Sequence, residues 1–270
     1  MVVICETCGV EHANAAGSCA ICADERQWVP AAGQLWSTLA ELREAGHATR
    51  LAELEPDLHG LTVEPKVGIG QQALLLRTPS GNLLWDPVGF VDVAAVTRLR
   101  ELGETVAIAA SHPHMFGVQL EWSRALGGVP VLVSEADRKW VARPDPVIET
   151  WAGSREIVPG VTLIQLGGHF PGSSVVHWEA GAEGRGVLLA SDTIQANPDR
   201  SSVTFMRSFP NRIPLSAGVV ERLASAVGEL RFDRLYDNFG RTIDADAAAA
   251  VRRSAERYAG WASGRFDDGT

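Results

Sequence analysis

The apolar run Thr105-Val106-Ala107-Ile108-Ala109-Ala110 gives way at once to Ser111-His112-Pro113-His114. Side chains of a strand alternate with a period of two, so a strand over this run delivers both imidazoles to the same side of its end. Two imidazoles so placed are a ready pair of ligands for a transition metal. The pattern recurs twice further on. Residues 161–166 read as a strand and run into Gly167-Gly168-His169-Phe170-Pro171-Gly172-Ser173, and residues 186–190 read as a strand that ends in Ser191-Asp192-Thr193. Loops at the ends of a rigid sheet are where such residues are usually mounted. Taken alone, any one of these histidines reads better as a surface or core-capping residue. Three imidazoles and a carboxylate, each just after a predicted strand, read instead as a nitrogen- and oxygen-rich site for zinc or non-haem iron.

The rest of the chain supplies a scaffold. Residues 61–69, 73–78 and 82–86 read as strands, with a turn at Pro79-Ser80-Gly81-Asn82. Residues 92–102 and 118–126 read as helices, 129–133 as a strand, and Ser134 caps a further helix. Residues 195–214 look like an irregular surface loop or lid, 217–230 a helix, 234–238 a last short strand, and 244–262 a helix. Strands then helices, twice over, argue for a layered α/β domain. Residues 34–54, with Leu35, Leu39, Leu42 and Leu51 on a broad stripe, read as helical, weakened at Gly46. The expected organisation is a small N-terminal module over 1–30, a helical connector over 31–60 and one large domain over 61–270.

All four cysteines fall in the first 22 residues, as Cys5-x2-Cys8 and Cys19-x2-Cys22. Two such knuckles complete a tetrahedral sulfur site for zinc or a single iron. A four-thiolate site has no open position, so its role is structural, and the ion supplies the folding energy that so short a segment lacks. Residues 3–28 resemble a zinc ribbon or a rubredoxin-like knuckle pair. The proline and aromatic pattern of the latter is missing, which favours zinc. His12 lies between the knuckles and reads as a surface residue. The ribbon's purpose stays open between bracing the N-terminus, shaping an active-site rim and forming a homodimer.

Charge and hydropathy exclude other classes. A formal net charge of -9 with no basic cluster argues against nucleic-acid binding. No segment has the apolar length of a membrane span, and the N-terminus does not read as a signal peptide. A cytoplasmic protein with reduced thiols and a small-molecule substrate is the expectation.

From about Val67 onward the chain resembles the metallo-β-lactamase superfamily. The resemblance is carried by Gly70-Gln71-Gln72-Ala73, Leu84-Trp85-Asp86-Pro87, Ser111-His112-Pro113-His114, Gly168-His169-Phe170-Pro171-Gly172-Ser173 and Ala190-Ser191-Asp192-Thr193. It implies a four-layer αββα sandwich with the metal at one edge of the sheets, and it makes Asp86 a residue that braces the His loop without ligating. The chain departs from the family where a second ion would be bound. Met115-Phe116-Gly117 stands in place of x-Asp-His, and no histidine occurs after His177, where Tyr236-Asp237-Asn238-Phe239-Gly240 occupies the region of the family's late ligand. A single ion held by His112, His114 and His169, with Asp192 as ligand or close neighbour, is the expected centre.

Such an ion makes a hydrolase of an ester, thioester, lactone or amide the leading expectation. Asp192, Tyr236 and Asn238, with Asp237 and Arg241 beside them, are the candidates to handle charge and protons. One alternative is a mononuclear iron oxygenase of the persulfide dioxygenase type, with His112, His169 and Asp192 as facial triad. A second is a binding module that keeps the metal for stability alone.

Overall fold

The computed structural model describes residues 2–15 and 17–269. The chain divides into two compact units, 1–152 and 153–270.

The first unit opens with a small sheet of order β2-β1-β3, formed by β1 (Val3–Cys5), β2 (Glu11–His12) and β3 (Trp36–Ser37) around the short helix α1 (Ala20–Ala23). The helix α2 (Leu39–Glu44) follows, started by a capping box in which Thr38 and Glu41 satisfy each other's backbone amides. The chain then enters a seven-stranded sheet of order β10-β9-β8-β7-β6-β5-β4. Its strands are β4 (Ala48–Glu55), β5 (Leu58–Glu64), β6 (Ala73–Leu76), β7 (Asn82–Trp85), β8 (Thr105–Ala109), β9 (Val131–Ser134) and β10 (Ile148–Trp151). The β4 to β7 half is antiparallel and built from short connections. From β7 on the pairing is parallel. Parallel neighbours need a crossover, supplied by α3 (Val93–Glu101) and α4 (Gln119–Ala125). Alternate positions Leu61, Leu75, Leu84, Ile108 and Val131 enter one apolar core with Leu99 of α3 and Leu120 and Trp122 of α4.

The helical reading of 34–54, and with it the helical connector over 31–60, is corrected. Only Leu39–Glu44 is helical, and Ala48–Glu55 pairs with β5 as an antiparallel hairpin, Leu51 opposite Leu61. Gly46, at φ +85, stops the helix after two turns. Beyond it, the alternation Leu51-Ala52-Glu53-Leu54-Glu55 has a period of two, and the hairpin partner decides in its favour. Asp92 ties this strand down. It caps α3 through the Ala95 amide at 2.7 Å and accepts the Thr49 amide at 2.9 Å.

The second unit is a six-stranded sheet of order β11-β12-β13-β14-β19-β20. Strands β11 (Ser154–Val158), β12 (Val161–Gln165), β13 (Ser174–Trp178) and β14 (Val187–Leu189) form an antiparallel meander, with the short turn α5 (Gly181–Gly184) before β14. The stretch read as an irregular loop holds two small ladders, β15 (Gln195–Ala196) with β16 (Val203–Thr204) and β17 (Met206–Ser208) with β18 (Ile213–Pro214). It is no lid at its anchor points. Phe205 is wholly buried, 6.0 Å from the Tyr258 ring, and the Val203 amide donates to Ser254 Oγ. Such anchoring is invisible to local sequence because both partners lie on the C-terminal helix. That helix is α7 (Ala247–Ala262), which packs with α6 (Ala217–Gly228) on a core that includes Val220, Leu223, Leu235 and Val251. The crossover through α6 leaves β19 (Arg234–Tyr236) parallel to β14, and β20 (Thr242–Ile243) closes the edge.

Two candidate metal centres

The two knuckles meet. Cys5 Sγ lies 3.5 Å from Cys22 Sγ and Cys8 Sγ lies 3.8 Å from Cys19 Sγ, with all four residues buried. Zinc bound to four thiolates at about 2.3 Å sets neighbouring sulfurs about 3.8 Å apart, so the donor set fits that ion as it stands. Without a cation the crowded sulfurs perturb one another. Cys19 is driven far below the usual thiol range by hydrogen bonds from Cys22, Cys5 and Cys8. Its neighbour Cys22 is pushed far above. Gln34 reaches in from outside the knuckles, donating to Cys5 Sγ at 3.0 Å and accepting the Cys19 amide at 3.2 Å. His12 is not a surface residue as expected. Its ring is buried edge-on against Trp36, 4.7 Å between centroids, and it hydrogen-bonds the Cys19 thiol.

The second group is His112, His114, His169 and Asp192. One ligand atom of each lies within 4.8 Å of the others, and all four residues are buried. Each is mounted where a strand stops. β8 ends at Ala109, and Ser111 then turns the chain into a one-turn 3-10 helix, Pro113–Met115, that carries His114. Hydrogen bonds from the Met115 amide to His112 O and the Phe116 amide to Pro113 O make this turn a single stiff unit. Asp86, at the end of β7, holds it from below, its Oδ1 accepting the Ser111 amide at 2.7 Å. Asp192 lies in a turn directly after β14 and its Oδ1 accepts from Gln195 Nε2 at 3.0 Å. Asp86 and Ser191, each beside this group, are held at φ +55 and +50. Left-handed backbone outside glycine costs free energy and marks sites where side chains are aimed by their surroundings.

The rings are oriented from behind. His169 Nδ1 donates to Met206 O at 3.0 Å, which fixes its tautomer with the lone pair on Nε2. Ser111 Oγ lies 2.9 Å from His112 Nδ1. These supports are of the kind that metal-ligating imidazoles need, and the group is able to bind a metal. Ser111 directly precedes His112, and Gln195 lies three residues after Asp192, so both supports are local in sequence. The Met206 carbonyl and Gln34 leave no trace in local sequence.

The positions where a second ion's ligands were missing have packing duties. Phe116 is buried in the apolar core. Gly117 sits at φ +51, and a Cβ there would run into the Pro87 carbonyl oxygen. No side chain fits at 117 with this backbone. Tyr236 and Asn238 are both buried, Tyr236 on β19 opposite Leu189 of β14. Asp237 Oδ1 accepts the Phe239 and Arg241 amides at 2.8 and 2.9 Å, and its carboxyl is raised by burial. Asp237 thus ties the turn that follows β19. Of the remaining histidines, His47 bonds Pro65 O at 2.7 Å and His177 bonds Arg231 O at 2.9 Å. His59 is buried, which lowers its pKa.

Fold and site together define a protein of the metallo-β-lactamase fold. DIM-1 metallo-β-lactamase matches at a TM-score of 0.57, with 10% identity over 78% of this chain and 96% of its own. A B3 metallo-β-lactamase with an active-site glutamic acid matches at 0.55, with 17% identity, 86% of this chain and 96% of its own. A metallo-β-lactamase from Pontibacter korlensis matches at 0.55, with 14% identity, 78% of this chain and 99% of its own. At these identities the likeness is one of fold. No family model matches the chain. The chain belongs to the family of "Uncharacterized protein YmaE" of Bacillus subtilis strain 168, to which it is 43% identical over 260 residues, 94% of each chain. Among the described residues no helix is long and apolar enough to cross a membrane.

Proposed function

We propose that the chain is a metal-dependent hydrolase with one catalytic ion, zinc, held by His112, His114, His169 and Asp192, and one structural zinc in the four-cysteine ribbon. The convergence of those three imidazoles and one carboxylate carries the reading. Bound there, zinc would supply Lewis acidity and bring a water's pKa to about 7. The loss of ligating side chains at 116 and 117, with Gly117 locked against Pro87, supports one ion over two.

The protein's own groups have the remaining tasks. Met206 O holds the His169 ring in one tautomer and orientation, and Ser111 Oγ holds the orientation of the His112 ring. Gln195 holds the Asp192 carboxylate, so that its charge stays at the site. Tyr236 and Asn238 are assigned to stabilise the developing oxyanion or to protonate the leaving group. The substrate is a small molecule with an ester, thioester, lactone or amide carbonyl. The test is turnover of such a panel by the metal-loaded chain and by His169→Ala. Turnover that His169→Ala abolishes supports the reading; a panel left untouched by the loaded parent, or equal rates in the variant, contradicts it. Iron in place of zinc, with oxygen consumed on a persulfide, would move the assignment to the oxygenase.

A further inference from the structure

The ribbon does more than fold. Its segment between the knuckles, Gly9 to His12, is seated on the loop that carries His112 and His114. The Glu11 amide donates to Gly117 O at 3.0 Å, three residues beyond His114. The Glu11 carboxylate reaches one turn further, where Oε1 accepts the Leu120 amide at 2.6 Å. Its other oxygen, Oε2, pairs with Arg143 at 2.6 Å, and Arg143 also holds Glu121 at 2.6 Å. Glu11 is only 2% exposed. A carboxyl group so deeply buried is costly unless it is paired and hydrogen-bonded, and the Leu120 amide and Arg143 supply both. The backbone tells the same story. A Cβ on Gly68 would strike the Gly9 amide nitrogen and the Cys8 carbonyl, so the ribbon backbone lies directly against Gly68 with no room for a side chain there.

We propose that the four-cysteine ribbon is a clamp on the His112–His114 loop, and that Glu11 is the positioning residue through which it acts. The inference rests on the reading of His112 and His114 as metal ligands, and on nothing about the reaction. Glu11 grips the loop on its C-terminal side while Asp86 grips it at Ser111 on the N-terminal side. The turn between these grips is closed by its own hydrogen bonds, so a shift at Gly117 reaches His114 through three peptide units. An ion in the ribbon therefore favours a formed imidazole pair, although the ribbon contributes no ligand to it.

Cobalt(II) titration of the metal-free full chain separates the two centres, because only the thiolate site gives sulfur-to-cobalt charge transfer. In Glu11→Ala the charge-transfer band is expected to titrate as in the parent, while the ligand-field band of the histidine site titrates with about tenfold weaker affinity or worse. Glu11→Gln keeps an oxygen for the Leu120 amide and is expected to stay within about threefold of the parent. A folded Glu11→Ala that titrates like the parent at both centres overturns the clamp. Should that variant not fold, exchange of the Leu120 amide in the wild-type chain decides. Stripping the ribbon ion with a mercurial is expected to speed it at least about tenfold, since its acceptor sits on the ribbon; unchanged exchange overturns the proposal. A parent whose histidine site takes up no cobalt contradicts the metal centre instead, and the exchange experiment still stands.

Discussion

The two candidate metal centres of this chain are built on opposite plans. The ribbon draws its ligands from 18 residues of sequence, Cys5 to Cys22, carried on strands of two or three residues and a four-residue helix. Its donors are thiolates, which need a cation to lie this close. The histidine centre draws on residues 112 to 192, each at the end of a strand with a core behind it, and His112, His169 and Asp192 are each oriented by a hydrogen bond from their own surroundings. The first centre should depend on its ion to exist. The second should exist first and bind its ion afterwards. A local site can be made by metal and little else, whereas a dispersed one has to be paid for by the fold.

That contrast can be broken most sharply by His169→Ala. Hydrolytic turnover is expected to fall by about three orders of magnitude or more, with far-UV circular dichroism unchanged and one ion per chain lost. Cys5→Ser with Cys8→Ser should do the reverse at the level of structure. Residues of the ribbon should lose protection from hydrogen exchange, by the several kcal/mol that a structural zinc contributes, while the strands of the seven-stranded sheet stay protected. Equal loss in both regions would erase the distinction.

Smaller effects test the link between the centres. Gly117→Ala forces a side chain against the Pro87 carbonyl at a positive φ, and a loss of about 2–4 kcal/mol is expected from urea melts. Restoring the family's pattern with Phe116→Asp and Gly117→His should therefore cost stability without adding a second ion. A further effect, of comparable size at most, is one of pH. Burial pushes the Glu11 carboxyl up to about 7, against the Leu120 amide and Arg143, which favour its charged form. Between its ordinary 4.5 and about 7 the native chain holds a proton that the unfolded chain has released. Glu11's contribution is thus full below 4.5 and declines as pH rises through 7, by up to about 3 kcal/mol. Glu11→Gln should flatten that slope in urea melts taken across the window; a slope unchanged by the substitution would assign it to another group.

The same contrast explains what was legible in the sequence. The cysteine pairs announced their site outright, because ligand spacing within a knuckle is a local property. The histidine site was legible through three motifs in order, each tied to a strand end, and this also made the fold class legible. What stayed hidden depends on partners distant in sequence. Residues 48–55 carry leucines compatible with helix or strand, and only pairing with residues 58–64 decides. The 195–214 stretch looked loose because its anchors, Ser254 and Tyr258, are on the last helix. Glu11 offered no hint of its role, since one acidic residue in a polar segment looks like solvent-facing charge until its partners at 117, 120 and 143 are in place.

One closed sulfur site and one mononuclear histidine site are the metal complement proposed for this chain. Metal content per chain, measured on the purified protein with X-ray absorption to separate sulfur from nitrogen and oxygen neighbours, tests it most directly. Two ions are expected for the parent, only the sulfur-bound one in His112→Ala, and only the nitrogen- and oxygen-bound one, at lowered occupancy because the clamp is lost, in the folded body of Cys5→Ser/Cys8→Ser. Three ions in the parent, or two that both survive His112→Ala, would contradict it.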